Sequence, residues 1–279
     1  MPNDEFLASI LDLGWSSYQS VSVTRWQNGE CSQLDDFVAE EVPVVLMYNG
    51  VSHVVMLATP TNLEDFALGF SLTEGIIANV AEFESVKIYH RSNGVEIQIK
   101  IPDVRFQHLA DKGRNLTGRT GCGLCGATTL KQAMKPPRSV SGDLKISTTE
   151  LAIVLQNISG HQKLNQLTGA IHAVAWVSPD NGIEELREDV GRHNALDKLI
   201  GTLLKRDTDF TAGFMIMTSR ASYEMVQKAT MVGVTVLAAI SAPTALAIRL
   251  AEESGVTLIG FARDNSCVIY SHPERVIPS

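Results

Sequence analysis

The stretch GFMIMTSRASYEMVQKATMVGVTVLAAISAPTALAIRLAEESGVTLIGF spans residues 213–261 and decides the fold class. Three apolar runs, 213–218, 234–240 and 256–261, alternate with two segments of helical periodicity, 221–231 and 244–253. Short apolar runs bounded by turn residues read as buried strands. A strand, helix, strand order makes the two strands parallel, because the helix must carry the chain back along the sheet before the next strand can pair. Two such crossovers in succession predict a three-layer α/β architecture.

Upstream of that stretch, Ser147 and Glu150 stand at capping-box spacing ahead of a helix over 149–158. Strands over 170–177 and 183–189 flank the turn Pro179-Asp180-Asn181-Gly182, and a helix over 193–205 follows. Residues 103–146 are polar, glycine-punctuated and broken by Pro136-Pro137, which reads as an exposed connection. Before it, 42–48 and 51–58 form a hairpin about Asn49-Gly50, the pair best suited to a type I′ turn. Thr61 and Glu64 have capping-box spacing and open a helix through Phe66, Phe70 and Leu72 that stops near Gly75. A second hairpin, 85–90 and 95–101 about Asn93-Gly94, puts Val95, Ile97, Ile99 and Ile101 on one face. Residues 1–38 show no clean periodicity beyond a strand over 20–26. The expected organisation is α+β overall. A smaller N-terminal α+β domain built on β-hairpins (1–110) leads through a flexible cysteine-containing connection (111–146) to an α/β domain (147–279).

Composition narrows the function classes. With 279 residues, 44% of them hydrophobic and 19% charged, the chain can bury a sizeable core. No run of about 18 apolar residues is present to span a bilayer, and the start Met1-Pro2-Asn3-Asp4-Glu5 lacks a secretion signal, so no membrane role and a cytoplasmic location are expected. The net charge of -8 argues against a nucleic-acid partner. In a reducing cytosol Cys31, Cys122, Cys125 and Cys267 read as thiols.

The most pointed chemistry is Gly121-Cys122-Gly123-Leu124-Cys125-Gly126, preceded by Arg114 and Arg119. The glycines remove bulk around both thiols, and nearby guanidinium groups favour the nucleophilic thiolate, which can hold a transferable sulfur. A lone CxxC is also half a zinc site, to be completed by residues such as His172 and His193, or a redox pair. The missing second CxxC and the polar, glycine-rich surroundings weigh against both, and no metal is expected.

Three strand-to-helix or strand-to-turn junctions are candidate ligand sites. At Glu188 to Lys198 a strand end runs into a helix whose first turn carries Arg192 and His193, where free amides and the helix dipole attract anions. The bland alternative is that Asp189 caps the helix and His193 is merely exposed. In Thr218-Ser219-Arg220-Ala221-Ser222 two serines and a guanidinium suit a phosphate, although Ser219 could be a routine N-cap and Arg220 could only pair with Glu224. Phe261, Ala262, Arg263, Asp264, Asn265 and Ser266 lie beyond the last parallel strand and suit a purine and its ribose, or form only a turn. His172 reads as a hydrogen-bonded core histidine.

Glu40-Glu41-Val42-Pro43, Gly69-Phe70-Ser71-Leu72-Thr73-Glu74-Gly75, Gly118-Arg119-Thr120-Gly121-Cys122-Gly123-Leu124-Cys125-Gly126, residues 188–198 and residues 219–228 together resemble the formate dehydrogenase accessory (FdhD) family. The resemblance covers roughly 38–275, and several motifs in one order are far more specific than a lone CxxC. It implies a cytoplasmic, homodimeric sulfurtransferase that receives sulfur from a cysteine desulfurase. The sulfur passes to the bis-molybdopterin guanine dinucleotide cofactor (Mo-bis-MGD) of formate dehydrogenase. It also implies that Cys122 carries the persulfide, that Cys125 is an accessory thiol, and that GDP is a surrogate ligand. The family's nucleotide stretch matches Phe261 to Ser266, with Arg263-Asp264-Asn265 where relatives often carry Lys-Pro-Gly. The C-terminal half is also similar to the cytidine deaminase-like fold, but Arg192-His193-Asn194 and Ser219-Arg220-Ala221-Ser222 lack the zinc thiolates of deaminases. A thiol-disulfide oxidoreductase and a non-catalytic molybdenum-cofactor chaperone are the competing classes.

Overall fold

The computed structural model describes residues 14–113, 138–263 and 266–278. Strands β1 (Tyr18–Gln27) and β2 (Glu30–Ala39) make a hairpin of their own about Asn28 and Gly29. The sequence pointed to one strand here. The second, ECSQLDDFVA, is exposed along most of its length, so no buried face imposes the alternation that marks a strand.

Strands β3 (Val42–Tyr48), β4 (Val51–Ala58), β5 (Ser85–Arg91) and β6 (Gly94–Lys100) form a sheet in the order β4-β3-β6-β5. Asn49 and Gly50 take the positive φ values, 48° and 84°, that the expected type I′ turn requires. Val95, Ile97, Ile99 and Ile101 are buried as expected. The turn of the second hairpin falls on Ser92-Asn93, one residue earlier than read, because Arg91 pairs with Gly94. Gly94 belongs to the strand for a steric reason: a Cβ there would stand 2.3 Å from Pro43 O across the sheet.

Helix α1 (Leu63–Thr73) packs on this sheet, but the Thr61-Glu64 capping box does not form. Asn62 is the N-cap, in the left-handed conformation, and Glu64 turns to Lys205 rather than back to Thr61. A further correction is helix α2 (Asp103–Gly113), inside the stretch read as connection. Phe106 and Leu109, three apart, pack against the same core, a short period easily lost among polar neighbours.

The second half begins with β7 (Ile146–Ser147), α3 (Thr148–His161) and α4 (Lys163–Thr168), the last unanticipated. The Ser147-Glu150 capping box forms in both directions, Glu150 N donating to Ser147 Oγ (3.1 Å) and Ser147 N to Glu150 Oε2 (2.6 Å). Then come β8 (His172–Ser178), β9 (Gly182–Asp189), α5 (Arg192–Lys205), β10 (Phe214–Met217), α6 (Tyr223–Met231), β11 (Val236–Ala239), α7 (Ala245–Ser254), β12 (Thr257–Arg263), β13 (Ser266–Ser271) and β14 (Val276–Ile277). The six-stranded sheet runs β13-β12-β11-β10-β8-β9, with β10, β11 and β12 parallel as the crossovers demand. One face is covered by α5, α6 and α7 through Leu199, Met225 and Leu250, the other by α3 through Leu151, Val154 and Ile158. This is the mixed, three-layer α/β arrangement that the sequence predicts.

Helices α1 and α5 meet with their backbones in contact. A Cβ on Gly69 would lie 1.8 Å from Asp197 O, and one on Gly201 would lie 1.9 Å from Asp65 O. Two buried lysines bridge the same seam. Lys228 reaches Asp197 Oδ2 (2.9 Å), Glu74 Oε1 (3.0 Å) and Thr73 Oγ1 (2.9 Å); Lys198 reaches Asp189 Oδ2 (2.7 Å) and Thr59 O (2.8 Å). Burial disfavours the charge on Lys228, but Asp197 and Glu74 outweigh it and hold its pKa above the ordinary lysine value. Breaking such a pair strands an uncompensated charge, at a cost of about 3–5 kcal/mol.

Candidate functional site

The strands of the large sheet converge on one edge, where the chain leaves β9, β10, β11 and β12. The connections there are tied to one another. Thr218 N donates to Ala173 O (3.0 Å), Ile240 N to Met217 O (2.9 Å), Thr244 N to Ala221 O (3.0 Å) and Phe261 N to Ser241 O (3.1 Å). This ladder brings Ser219 to Ser222, Ser241 to Thr244 and Phe261 to Arg263 side by side, with the first turns of α5, α6 and α7 opening onto the same edge. Such an edge is where open α/β sheets collect ligands.

Arg192 and His193 begin α5 because Asp189 organises the approach to it. That buried carboxylate accepts from Gly191 N (2.7 Å), Asn194 Nδ2 (2.9 Å) and Thr59 N (3.1 Å), and pairs with Lys198. The N-cap is Gly191, without a side-chain cap, so the amides of the first turn stay open. His193 is not exposed, as the bland reading had it: only 8% of it is accessible, and its Nε2 stands 2.7 Å from Glu224 Oε2 without hydrogen-bond alignment. Arg220 does not pair with Glu224 and is exposed, with no partner among the described residues. Nor does Ser219 cap α6. The N-cap is Ser222, whose hydroxyl makes no capping bond, while buried Ser219 donates to Arg220 O (3.1 Å).

Buried polar atoms are almost always hydrogen-bonded. At this edge Arg192 Nε, His193 Nε2, Ser222 Oγ and Glu224 Oε1 are buried without a hydrogen-bond partner among the described residues. Two guanidinium groups, open helix amides and unsatisfied donors together can hold a phosphate or pyrophosphate.

Phe261 sits at the end of the ladder with φ 50° and 38% exposure, and the Arg263 guanidinium lies over its ring at 6.0 Å. Ala262 presents only backbone to the edge, its methyl being buried in the core, and Ser266 Oγ donates to Arg263 O (3.2 Å). Asp264 and Asn265 lie outside the described residues, as do Cys122 and Cys125 with their glycine loop. His172 corrects another expectation. It is half-buried at the site edge, paired in register with Asp189, and its imidazole makes no hydrogen bond among the described residues. Glu224 and His172 also stand at this edge, a placement that depends on strand register and helix phase rather than on residue type.

A cavity of about 840 Å³ lies elsewhere, between α1 and β9. Its charged groups already neutralise one another: Lys205 holds Asp65 (2.7 Å), and Arg187 holds Asp65 (3.4 Å) and Glu185. One atom here, Arg187 Nε, is also buried without a hydrogen-bond partner among the described residues, but its guanidinium is already paired with two carboxylates.

Residues 39–277 match the model of the FdhD/NarQ family. The chain belongs to that family. It is 49% identical over 260 residues to the sulfur carrier protein FdhD of Cupriavidus necator, covering 93% of this chain and 90% of the relative. It is 48% identical over 255 residues to the protein of the same name from Xanthomonas euvesicatoria pv. vesicatoria, covering 91% of each. The crystal structure of a formate dehydrogenase accessory protein from Desulfotalea psychrophila shares the fold, with TM-score 0.74, 22% identity and coverage of 93% of this chain and 99% of that one. Family membership assigns a sulfur-carrier role, and it matches the recognition made from the separated motifs. Among the described residues no helix is long and apolar enough to cross a membrane.

Proposed function

We propose that this chain is a sulfurtransferase that takes sulfur from a cysteine desulfurase as a Cys122 persulfide and delivers it to bis-molybdopterin guanine dinucleotide for formate dehydrogenase. In loading, the Cys122 thiolate attacks the terminal sulfur of the donor persulfide. One S–S bond forms, the donor S–S bond breaks, and the electron pair leaves with the donor thiolate. Arg192, Arg220, Ser222 and the open helix amides hold the pyrophosphates of the acceptor, and the Phe261 to Ser266 turn receives its guanine. Cys125 is an accessory thiol.

The observation that carries this reading is the sheet edge, where buried donors without partners stand beside two guanidinium groups in a chain of the sulfur-carrier family. GDP is the practical stand-in for the acceptor. The sulfur chemistry is tested by intact mass after incubation with a desulfurase and cysteine. One added sulfur atom, lost in Cys122→Ala, is expected. A Cys122-Cys125 disulfide without added sulfur would support a thiol-disulfide oxidoreductase instead, and full dehydrogenase maturation by Cys122→Ala would support a chaperone without sulfur chemistry.

A further inference from the structure

His172 opens β8 at the floor of the sheet edge. Every neighbouring element brings charge towards it: Asp189 from the end of β9, Arg192 and His193 from the first turn of α5, and Arg220 from the connection after β10. The carboxylates in this group are engaged elsewhere. Asp189 is held by Lys198, Gly191, Asn194 and Thr59, and Glu224, from α6, stands against His193. The imidazole therefore stands near two guanidinium groups and one carboxylate already paired with Lys198, while making no hydrogen bond among the described residues. Burial, then Arg192, then His193 and Arg220, lower its pKa below the ordinary 6.5, with Asp189 opposing them. In the absence of a ligand the ring is neutral at neutral pH.

A pyrophosphate seated between Arg192 and Arg220 reverses that balance. Its negative charge cancels the repulsion felt by a protonated imidazole, and its oxygens accept the hydrogen bond that the ring nitrogen lacks. We propose that His172 is a binding residue of this site, which takes up a proton as a pyrophosphate docks and donates a hydrogen bond to it. This rests on reading the sheet edge as the phosphate site, and adds to it the group that makes binding respond to pH. The proton comes from solvent, joins the free ring nitrogen and returns to solvent on release; no bond to phosphorus forms or breaks.

The direction follows from linkage. The bound pKa lies above the free one, so the contribution of His172 is complete below the free value and is lost as pH rises through the bound value. Each unit of difference corresponds to about a tenfold change in affinity across that window.

The experiment is calorimetric titration with a GDP-sugar, whose pyrophosphate is esterified at both ends and carries no proton titrating near neutrality. Performed near neutral pH in two buffers of different ionisation enthalpy, it reads proton uptake directly. The wild-type protein should take up a fraction of a proton on binding and lose affinity as pH rises. His172→Asn and His172→Gln should bind without uptake and with a flat pH profile, while their unfolding temperatures stay at the wild-type value. Wild-type binding without uptake overturns the proposal but leaves the phosphate reading intact. Uptake that persists in both His172 variants and vanishes in His193→Gln also overturns it, by assigning the proton to the neighbouring ring. No binding of the GDP-sugar by the wild type removes the phosphate reading itself, and the proposal with it.

Discussion

Asp197, Lys198 and Thr202, in the body of α5, each meet partners across the seam with the N-terminal half, whereas Arg192, in its first turn, buries an Nε that no described residue accepts. One helix thus carries two kinds of polar burial within four turns. Where the partners come from the protein, the charges hold two layers of structure together. Where the described residues supply none, a ligand at the sheet edge is the partner that the proposed function calls for. Satisfaction of buried polar groups therefore separates what the fold needs from what the ligand needs, in a segment where residue type alone does not.

The sharpest break of that comparison is Lys228→Met. It leaves Asp197 and Glu74 facing each other in the seam and should cost about 3–5 kcal/mol, read as a lower urea midpoint at unchanged slope. A loss below about 1 kcal/mol would mean that the seam is not held by its charges. At the other end of the comparison, Arg192→Ala should leave stability within about 0.5 kcal/mol of wild type, because it breaks no hydrogen bond to a described residue. Its GDP affinity, however, should fall at least about tenfold, since a hydrogen bond to a charged group contributes about 1.5–3 kcal/mol. The same titration with Arg220→Ala should fall in parallel, and unchanged affinity would remove Arg220 from the site.

The smallest effect is expected at Thr202→Val, which takes a hydroxyl from Asp65 and should cost about 1 kcal/mol at neutral pH. Burial acts to raise the Asp65 pKa, but hydrogen bonds from Lys205 and Thr202 and the charges of Lys205 and Arg187 outweigh it and bring the carboxyl below 3.8. Stability from a lowered carboxyl is present above the unfolded value and fades as pH falls through the folded one. The stability gap between wild type and Thr202→Val should accordingly narrow below pH 3.8, and a gap that widened on acidification would contradict the assignment.

How much of this was legible in the sequence depended on whether a local pattern carried the information. The parallel strands β10, β11 and β12 were readable because each is a continuous apolar run and each crossover admits one helix. The Asn49-Gly50 turn and the Ser147-Glu150 box were readable because their chemistry is contained within a few residues. Strand β2 was not, having no buried face to pattern it, and α2 was not, because two apolar residues among polar ones leave too narrow a stripe. Gly94 pairs within its strand yet has a positive φ of 147° and a close approach to Pro43, so in sequence it looks the same as a turn glycine.

At the candidate site, helix-start logic singles out the junction residues Arg192, His193, Ser219, Arg220 and Ser222, and the structure places them along one edge. What the sequence withheld was pairing. Glu224 turns to His193 instead of Arg220, and His172 stands beside Asp189 through a register that no local signal encodes. The glycine-bordered thiols stand out by residue type alone, and their expected role rests on chemistry and kinship.

The reciprocal contact of Gly69 and Gly201 has a consequence for inheritance. Each glycine faces a carbonyl on the opposite helix with no room for even a methyl group, so the helices seat only where both notches stand at matching heights. A half taken from a relative would fit only if its notch were in step with the resident one. The two halves are therefore a lock and a key whose teeth must be cut to the same height.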